Sequence, residues 1–494
     1  MKIGVVYSVE TVTSIKKPLR SPTEIPFGIA TIATVLKAEG HDVSLFVVGN
    51  KTPIDALLRP YVEANRPRLF CFTAVSTQFP LIRTVAEAVK AIDPAVVTIL
   101  GGHHASLAPE AAIAAPCFDA ICIGEGEVAV REFAARLEAG QSLAGIGNLW
   151  VKDKGGIVKG PRLPFVGDLD AMPFIDRQLW DEWIADPADE PSILLGRGCP
   201  YKCTYCSNHA MAQLADGKYV RFRSPENIIA EIDKISADYP AADKMYLEIE
   251  TIGANLRYAF DLLEKLSAYQ AGRPRKLVLR ANFAVTSAFF RDDERAEHFF
   301  QLLDRSNIRC LNIGLESGSE RLRSEVLRRP KYTNDEILQF CAQARRHTIK
   351  INFFVLMGLP GERIADFKET VRVVRAANPH HCFVSIFYPY PGTDLARIAV
   401  ERKLVDIEAM AGTAERARAY LRLPEFPRWR VRLEFVLFWI KAYRGHWPWV
   451  KVLGRTFLSF IQAYPAAESA YRHLTTNVGF LVRLRQRYRV TTLG

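Results

Sequence analysis

Two stretches in which short apolar runs alternate with helical pattern, parted by a run that has neither, constrain the fold of this chain most. In the first, apolar runs at 3–7, 43–48, 69–73, 96–100 and 120–123 take turns with helical patterns near 27–39, near 80–92 and from Glu127 onward. Strand and helix in turn indicate an open, doubly wound parallel α/β sheet whose ligands sit beyond the carboxyl ends of the strands. Residues 145–190 break the rhythm. There, 148–154, Gly155-Gly156 and 157–159 read as a hairpin, and Asp168, Asp170, Pro173 and Asp176 mark a connection. From Ser192 the alternation resumes, with runs at 193–195, 245–249, 277–282, 310–315, 349–357 and 383–388. That spacing suits a partial (β/α)6 barrel of the TIM type, with its chemistry at the carboxyl ends of the strands. A chain of 494 residues exceeds one ordinary core. The expected divisions are 1–144, a linker at 145–190, the barrel at 191–400 and a helical C-terminal region at 401–494.

The loop after the first barrel run reads Gly198-Cys199-Pro200-Tyr201-Lys202-Cys203-Thr204-Tyr205-Cys206. Its three cysteines put three thiolates within reach of one inorganic centre, and no fourth follows closely. Structural zinc takes four protein ligands, whereas an iron–sulfur cubane on three thiolates keeps one iron open. Three plain cysteines, or a zinc knuckle completed by His209 or a distant ligand, are the alternatives. Nine cysteines and no N-terminal signal pattern argue for a reducing compartment, with the cytoplasm as the expected location.

The cysteine spacing, with an aromatic before the last cysteine, resembles the radical S-adenosylmethionine (SAM) enzymes. The resemblance implies a [4Fe-4S] cluster on Cys199, Cys203 and Cys206 whose open iron chelates SAM. One electron then splits SAM into methionine and a 5′-deoxyadenosyl radical. The N-terminal pieces Pro26-Phe27-Gly28-Ile29-Ala30, Gly40-His41-Asp42-Val43, Gly101-Gly102-His103-His104 and Gly124-Glu125-Gly126-Glu127 are similar, in order and spacing, to the cobalamin-binding domain of one large branch of that family. This implies that the loop starting at Ser76 and Thr77 covers the lower face of cobalamin. Gly101, Gly102, His103 and His104, with Gly124, Glu125 and Gly126, would cradle its nucleotide tail. No Asp-x-His-x-x-Gly stretch is present, so cobalamin is expected without a histidine on cobalt. His103 and His104 read equally as ordinary loop histidines.

On the barrel, Glu250, Arg280, Asn282, Glu316 and Ser317 fall near strand ends, in an order that resembles the family's SAM-binding strands. Gly358-Leu359-Pro360-Gly361-Glu362 and Pro391-Gly392-Thr393 match segments of the same branch. Where relatives often pair acids on the second strand, this chain has Ile249-Glu250. Cys71 and Cys122 lie in apolar runs and read as core; Cys117 sits in a loop without a partner. Methylthiotransferases, with a second cluster on N-terminal cysteines and an RNA-binding barrel at the end, fit less well.

Net charge is +11, yet residues 425–494 hold twelve Lys/Arg against three Asp/Glu, so the rest is nearly neutral. Positive charge confined to a tail lowers the expectation of nucleic acid as a partner. Within 446–464, Trp449, Val450, Leu453, Phe457, Phe460, Ile461 and Tyr464 share one helical side, and Lys451, Arg455, Ser459 and Gln462 the other. Either this segment caps the barrel, or it rests peripherally on anionic lipid. The expected activity is methylation of an unactivated carbon in a small-molecule or lipid-like substrate, with electrons from a reductant such as flavodoxin or ferredoxin. The alternatives are a cobalamin-dependent radical cyclase or rearrangement enzyme, or a cobalamin-binding regulator.

Overall fold

The computed structural model describes residues 1–9, 14–406, 410 and 415–467; the basic end, 468–494, lies outside them. Fifteen strands are described: β1 (Lys2–Val9), β2 (Asp42–Gly49), β3 (Leu69–Thr73), β4 (Val97–Gly101), β5 (Ala120–Cys122), β6 (Leu149–Asp153), β7 (Gly156–Lys159), β8 (Ser192–Leu194), β9 (Gly196–Arg197), β10 (Arg221–Phe222), β11 (Lys244–Glu248), β12 (Val278–Phe283), β13 (Ile308–Glu316), β14 (Lys350–Met357) and β15 (His381–Ile386). The first sheet has the order β2-β1-β3-β4-β5-β6-β7, with β1 to β5 parallel. Helices cover both faces, and the apolar strand residues divide between two cores accordingly. The order reverses between β1 and β3, and that switch point opens a crevice at their carboxyl ends. Gln78 closes it from one side, donating to the Ser8 carbonyl at 2.8 Å.

The hairpin expected in the linker belongs instead to this sheet. β6 pairs antiparallel with β5, and β7 with β6, so the first layer runs on to Lys159. Its 148–159 pattern was legible as a hairpin, but the strand it docks on was not.

The second sheet, β15-β14-β13-β12-β11-β8, is parallel throughout, the six-stranded open barrel expected from the alternation. One face of each strand feeds the largest core, with Leu247, Ala281, Leu311, Ile351 and Phe353 buried against the surrounding helices. The helix after β10, Pro225–Asp238, starts as its Ser224-Pro225 signal predicts: Ser224 Oγ accepts from the Asn227 amide at 3.2 Å. From that helix, buried Glu231 pairs with Arg177 at 2.6 Å and with Arg223. The same two guanidiniums donate to the Ser192 and Leu194 carbonyls, which holds β8, the strand that leads into the cysteine loop.

Two helices, Arg428–Tyr443 and Trp449–Ala463, form a hairpin packed on the Ile364–Ala377 helix and β15. Among the described residues no helix is long and apolar enough to cross a membrane.

Candidate active site

The cysteine loop leaves a two-stranded ribbon, β9 with β10. Gly198 makes the exit at φ +87°, and a Cβ there would fall 2.4 Å from the Tyr219 carbonyl oxygen, so both conformation and space require glycine. Thr204 pins the loop's middle: its amide and hydroxyl donate to the Leu327 and Val326 carbonyls at 3.1 and 2.6 Å. Its own carbonyl accepts from the Leu395 amide at 2.8 Å. Cys203 is buried and Cys199 and Cys206 are half-buried. Burial pushes all three thiols up, Cys199 to about 12, and each of the three is raised further by neighbouring negative groups; Glu250 and the other two thiols act on Cys199. Such a set ionises together only if metal charge arrives with it. Among the described residues no three His, Cys, Asp or Glu side chains close on one point as ligands of a single ion would.

Arg329 stands beside them and was not visible in the sequence, where it sits in a basic run that reads as solvated. Its Nη1 lies 3.9 Å from the Cys203 sulfur and 3.3 Å from the Tyr205 hydroxyl, and its Nη2 donates to the Gly314 carbonyl at 2.6 Å. Its Nε is buried without a partner. The guanidinium therefore supplies fixed positive charge where thiolates gather. Glu316 closes the same corner from a bulge between β13 and β14, at φ +59°. Burial raises its carboxyl, against the pull of Arg329. A Cβ on Gly314 would fall 2.5 Å from Glu316 Oε1 and 3.0 Å from Arg329 Nη2, so glycine there lets both side chains fold inward. Ser317 is turned the other way: fully buried, it meets Thr370 Oγ1 at 3.3 Å and accepts from the Ser319 amide.

The strand faces opposite the core line an open lumen. Tyr246 and Asn312 donate to Asn282 Oδ1 at 2.7 and 3.1 Å, Asn352 donates to Asn312 Oδ1 at 3.1 Å, and Asn282 donates to the Ile249 carbonyl at 2.8 Å. Arg280 lies over the Tyr246 ring and pairs with Glu190 at 2.8 Å. Farther along, Phe354 and Phe383 stack at 5.2 Å and remain exposed, an apolar wall on a polar floor. Glu250 opens onto the lumen next to the thiols. Glu248, two residues back and on the same face, is the second acid that the sequence reading missed; period-two spacing was its signal.

Burial, then the charge of Glu250, raises the Glu248 carboxyl from 4.5 to about 7, against the pull of Arg280. A carboxyl raised on folding holds its proton more tightly in the native state. Its stabilising share is whole below about pH 4.5 and is lost as pH climbs through about 7. Relative to Glu248→Gln, the parent should lose roughly 3 kcal/mol of stability between pH 5 and 8. Urea midpoints of the two proteins at both pH values measure it; parallel pH profiles would refute it.

At the crevice of the first sheet, Gly102 takes φ +88°, and a Cβ there would meet Thr73 Oγ1 at 2.5 Å. His104 stacks on Phe79 at 4.0 Å and its Nδ1 meets Ser76 Oγ at 3.3 Å, while its Nε2 is buried without a partner. Burial lowers it to about 4, so it is a neutral imidazole. His103 is exposed at the crevice mouth beside Gly101, and Thr77 lies in the loop after β3. Gly124 borders open space and needs glycine for its φ of +80° alone, and its amide donates to Ser106 Oγ at 3.0 Å. This cradle of small residues around an unpaired ring nitrogen fits a large flat cofactor. It also faces the cysteines: the Gly102–Leu107 helix packs on Ser207–Met211, which follows Cys206, and Gly392 of the barrel abuts Leu107.

Glu125 has another use than the one expected. Arg221 grips its carboxylate with two nitrogens at 2.7 and 3.0 Å, Arg197 reaches it at 3.2 Å, and the Val166 amide donates at 2.8 Å. Burial would raise this carboxyl, but those partners outweigh it and hold it below its usual value. Glu127 takes Arg197 at 2.6 Å. Both arginines belong to the β9–β10 ribbon, so the Gly124–Glu127 turn of one sheet is locked to the root of the cysteine loop in the other. Gly126 at this turn has Cys122 Sγ 3.2 Å from where a Cβ would sit.

Residues 21–134 match the B12 binding domain and residues 193–374 the radical SAM superfamily. An uncharacterised methyltransferase of Pyrococcus horikoshii is 25% identical over 77% of this chain and 79% of its own length. The anaerobic magnesium-protoporphyrin IX monomethyl ester cyclase of Rubrivivax gelatinosus is 23% identical over 75% of this chain and 65% of its own. The solved structure of OxsB, a cobalamin-dependent SAM radical enzyme with aqua-cobalamin and SAM bound, shares the fold. Its TM-score is 0.66 at 13% identity, over 96% of this chain and 75% of that one. With a B12-binding domain followed by a radical SAM domain in a single chain, the protein belongs to the cobalamin-binding branch of the radical SAM superfamily.

Proposed function

We propose that the chain is a cobalamin-dependent radical SAM enzyme that methylates an unactivated carbon of a small-molecule or lipid-like substrate. The observation that carries this reading is the meeting of the cysteine loop and the Gly101–His104 crevice at one lumen mouth. Cys199, Cys203 and Cys206 would hold the cluster; Glu250, Glu316, Arg280 and Asn282 would orient SAM, with the backbone at Ser317. Ser76, Thr77, Gly101, Gly102, His103, His104, Gly124 and Gly126 would seat cobalamin. Bound there, the cluster supplies the electron that cleaves SAM, and cobalamin supplies the methyl group. The chain's part is to place both beside one substrate, to exclude water, and to offer the Phe354–Phe383 wall to an apolar carbon skeleton. A flavodoxin- or ferredoxin-type reductant completes the set.

Anaerobic protein reconstituted with iron, sulfide and cobalamin, given methyl-labelled SAM and a reductant, should form 5′-deoxyadenosine and pass label to product. No 5′-deoxyadenosine would leave only a cobalamin-binding regulator. 5′-Deoxyadenosine with unlabelled product would favour a cyclase, a reading supported by the cyclase relative.

A further inference from the structure

The Trp449–Ala463 helix turns most of its large apolar side chains away from the rest of the hairpin. Its inward side buries Val452, Ser459, Ile461 and Ala463, with Ser459 accepting from Trp439 Nε1 at 3.0 Å; half-buried Arg455 lies over the Trp439 ring at 5.6 Å and exposed Lys451 over Trp447 at 3.7 Å. Burial lowers both Lys451 and Arg455 from their usual values. Its outward side carries Trp449, Val450, Leu453, Phe457 and Phe460, which are 54, 79, 54, 58 and 44% exposed. These positions recur at three- and four-residue steps and form one continuous stripe. Leaving so many large apolar side chains in water opposes the usual sorting. Something apolar completes that face.

The other arm of the hairpin says what accompanies it. At the start of the Arg428–Tyr443 helix, Arg422, Arg428 and Arg432 line an open groove of about 660 Å³ together with Leu423, Pro427 and Trp429, the indole 62% exposed. Among the described residues no carboxylate lines this groove. Burial, then the charges of Arg422 and Arg432, lowers Arg428. Three guanidiniums at the positive end of a helix repel one another and the helix dipole, and an anion relieves that repulsion. The remaining 27 residues of the chain carry five more arginines against one glutamate, so they bring no neutralising charge.

We infer that this hairpin docks on an anionic phospholipid bilayer, the stripe entering the acyl boundary and the arginine groove taking headgroup phosphates. A bilayer offers apolar depth and negative charge side by side. At 15 residues the outer helix is about 22 Å long, too short to span a core of about 30 Å but suited to lying in its plane. The proposal goes beyond the methylation reading and stands without it.

Flotation of the reconstituted full-length protein tests it, with vesicles of phosphatidylcholine alone and of phosphatidylcholine mixed with phosphatidylglycerol. The parent should float with the mixed vesicles and be released by salt. Phe457→Glu should lower partitioning at least about tenfold on either vesicle. Arg422→Gln and Arg432→Gln should each lower it roughly fivefold on mixed vesicles only. SAM cleavage to 5′-deoxyadenosine in the three variants should match the parent, which separates loss of docking from loss of fold. Equal flotation of parent and Phe457→Glu, or no flotation of the parent, would overturn the proposal. So would a concentration-dependent dimer that Phe457→Glu dissolves, because the stripe would then be covered by a second copy. A chain ending at Pro465 that floats where the parent does not would assign the cover to its own terminal segment and overturn it too.

Discussion

Cys203→Ala, purified without oxygen, should carry no iron–sulfur absorbance and form no 5′-deoxyadenosine, while binding cobalamin as the parent does. Cys203 is the most buried of the three loop cysteines, and its neighbour Thr204 is tied through amide, hydroxyl and carbonyl to two other segments. The loop therefore cannot slide to offer another donor. Replacement also leaves Arg329 buried beside a methyl group where it had a sulfur 3.9 Å away. The crevice of the first sheet, proposed to seat cobalamin, belongs to separate cores and keeps its shape. Cys310→Ser is the control: this thiol faces the lumen, accepts from Asn352 Nδ2 at 3.2 Å and should be dispensable for iron. Iron and sulfide analysis with electron paramagnetic resonance decides the matter. Unchanged iron in Cys203→Ala, or zinc in the parent, would sink the cluster assignment and everything built on it.

What the chain's pattern made legible, and what it hid, follows from the range of the interactions concerned. Alternation of apolar run and helix is local, and it located both sheets. The three cysteines are local as well. Arg329, by contrast, joins the cysteines across more than a hundred residues of chain, and nothing about Arg328-Arg329-Pro330 distinguishes a buried cation from a solvated one. Glu125 matched a cofactor-binding turn by order and spacing, but its partners Arg197 and Arg221 arrive from the β9–β10 ribbon, some seventy to a hundred residues on. The outer C-terminal helix shows the limit most plainly. Its two faces could be drawn from periodicity, yet only packing against Trp439 and Trp447 reveals which of them points inward.

The lock between the sheets should yield the second large effect. Arg221→Leu removes the two-nitrogen grip on Glu125 and also the donor to the Val166 carbonyl at 2.6 Å, with the Glu125 side chain only 16% exposed. Stranding one partner of a buried pair costs about 3–5 kcal/mol, and the lower end is expected because Arg197 keeps one contact with the carboxylate. Adding Glu125→Leu removes the stranded charge, so the double variant should be more stable than Arg221→Leu alone. Denaturant unfolding of the parent, both single variants and the double variant measures the coupling. The catalytic consequence is more specific than lost stability. Arg221 and Arg197 flank the root of the cysteine loop, and Glu125 and Glu127 lie in the turn beside the crevice proposed for cobalamin, so on that reading the lock sets the distance between two chemistries that meet on one substrate carbon. Arg221→Leu should keep its iron and its cobalamin but cleave more SAM to 5′-deoxyadenosine for each methyl group delivered, since misplacement by about an ångström is enough to uncouple reacting groups. A double variant no more stable than the single one, with the parent's ratio of cleavage to transfer in both, would show that the two sheets are held in register by something else.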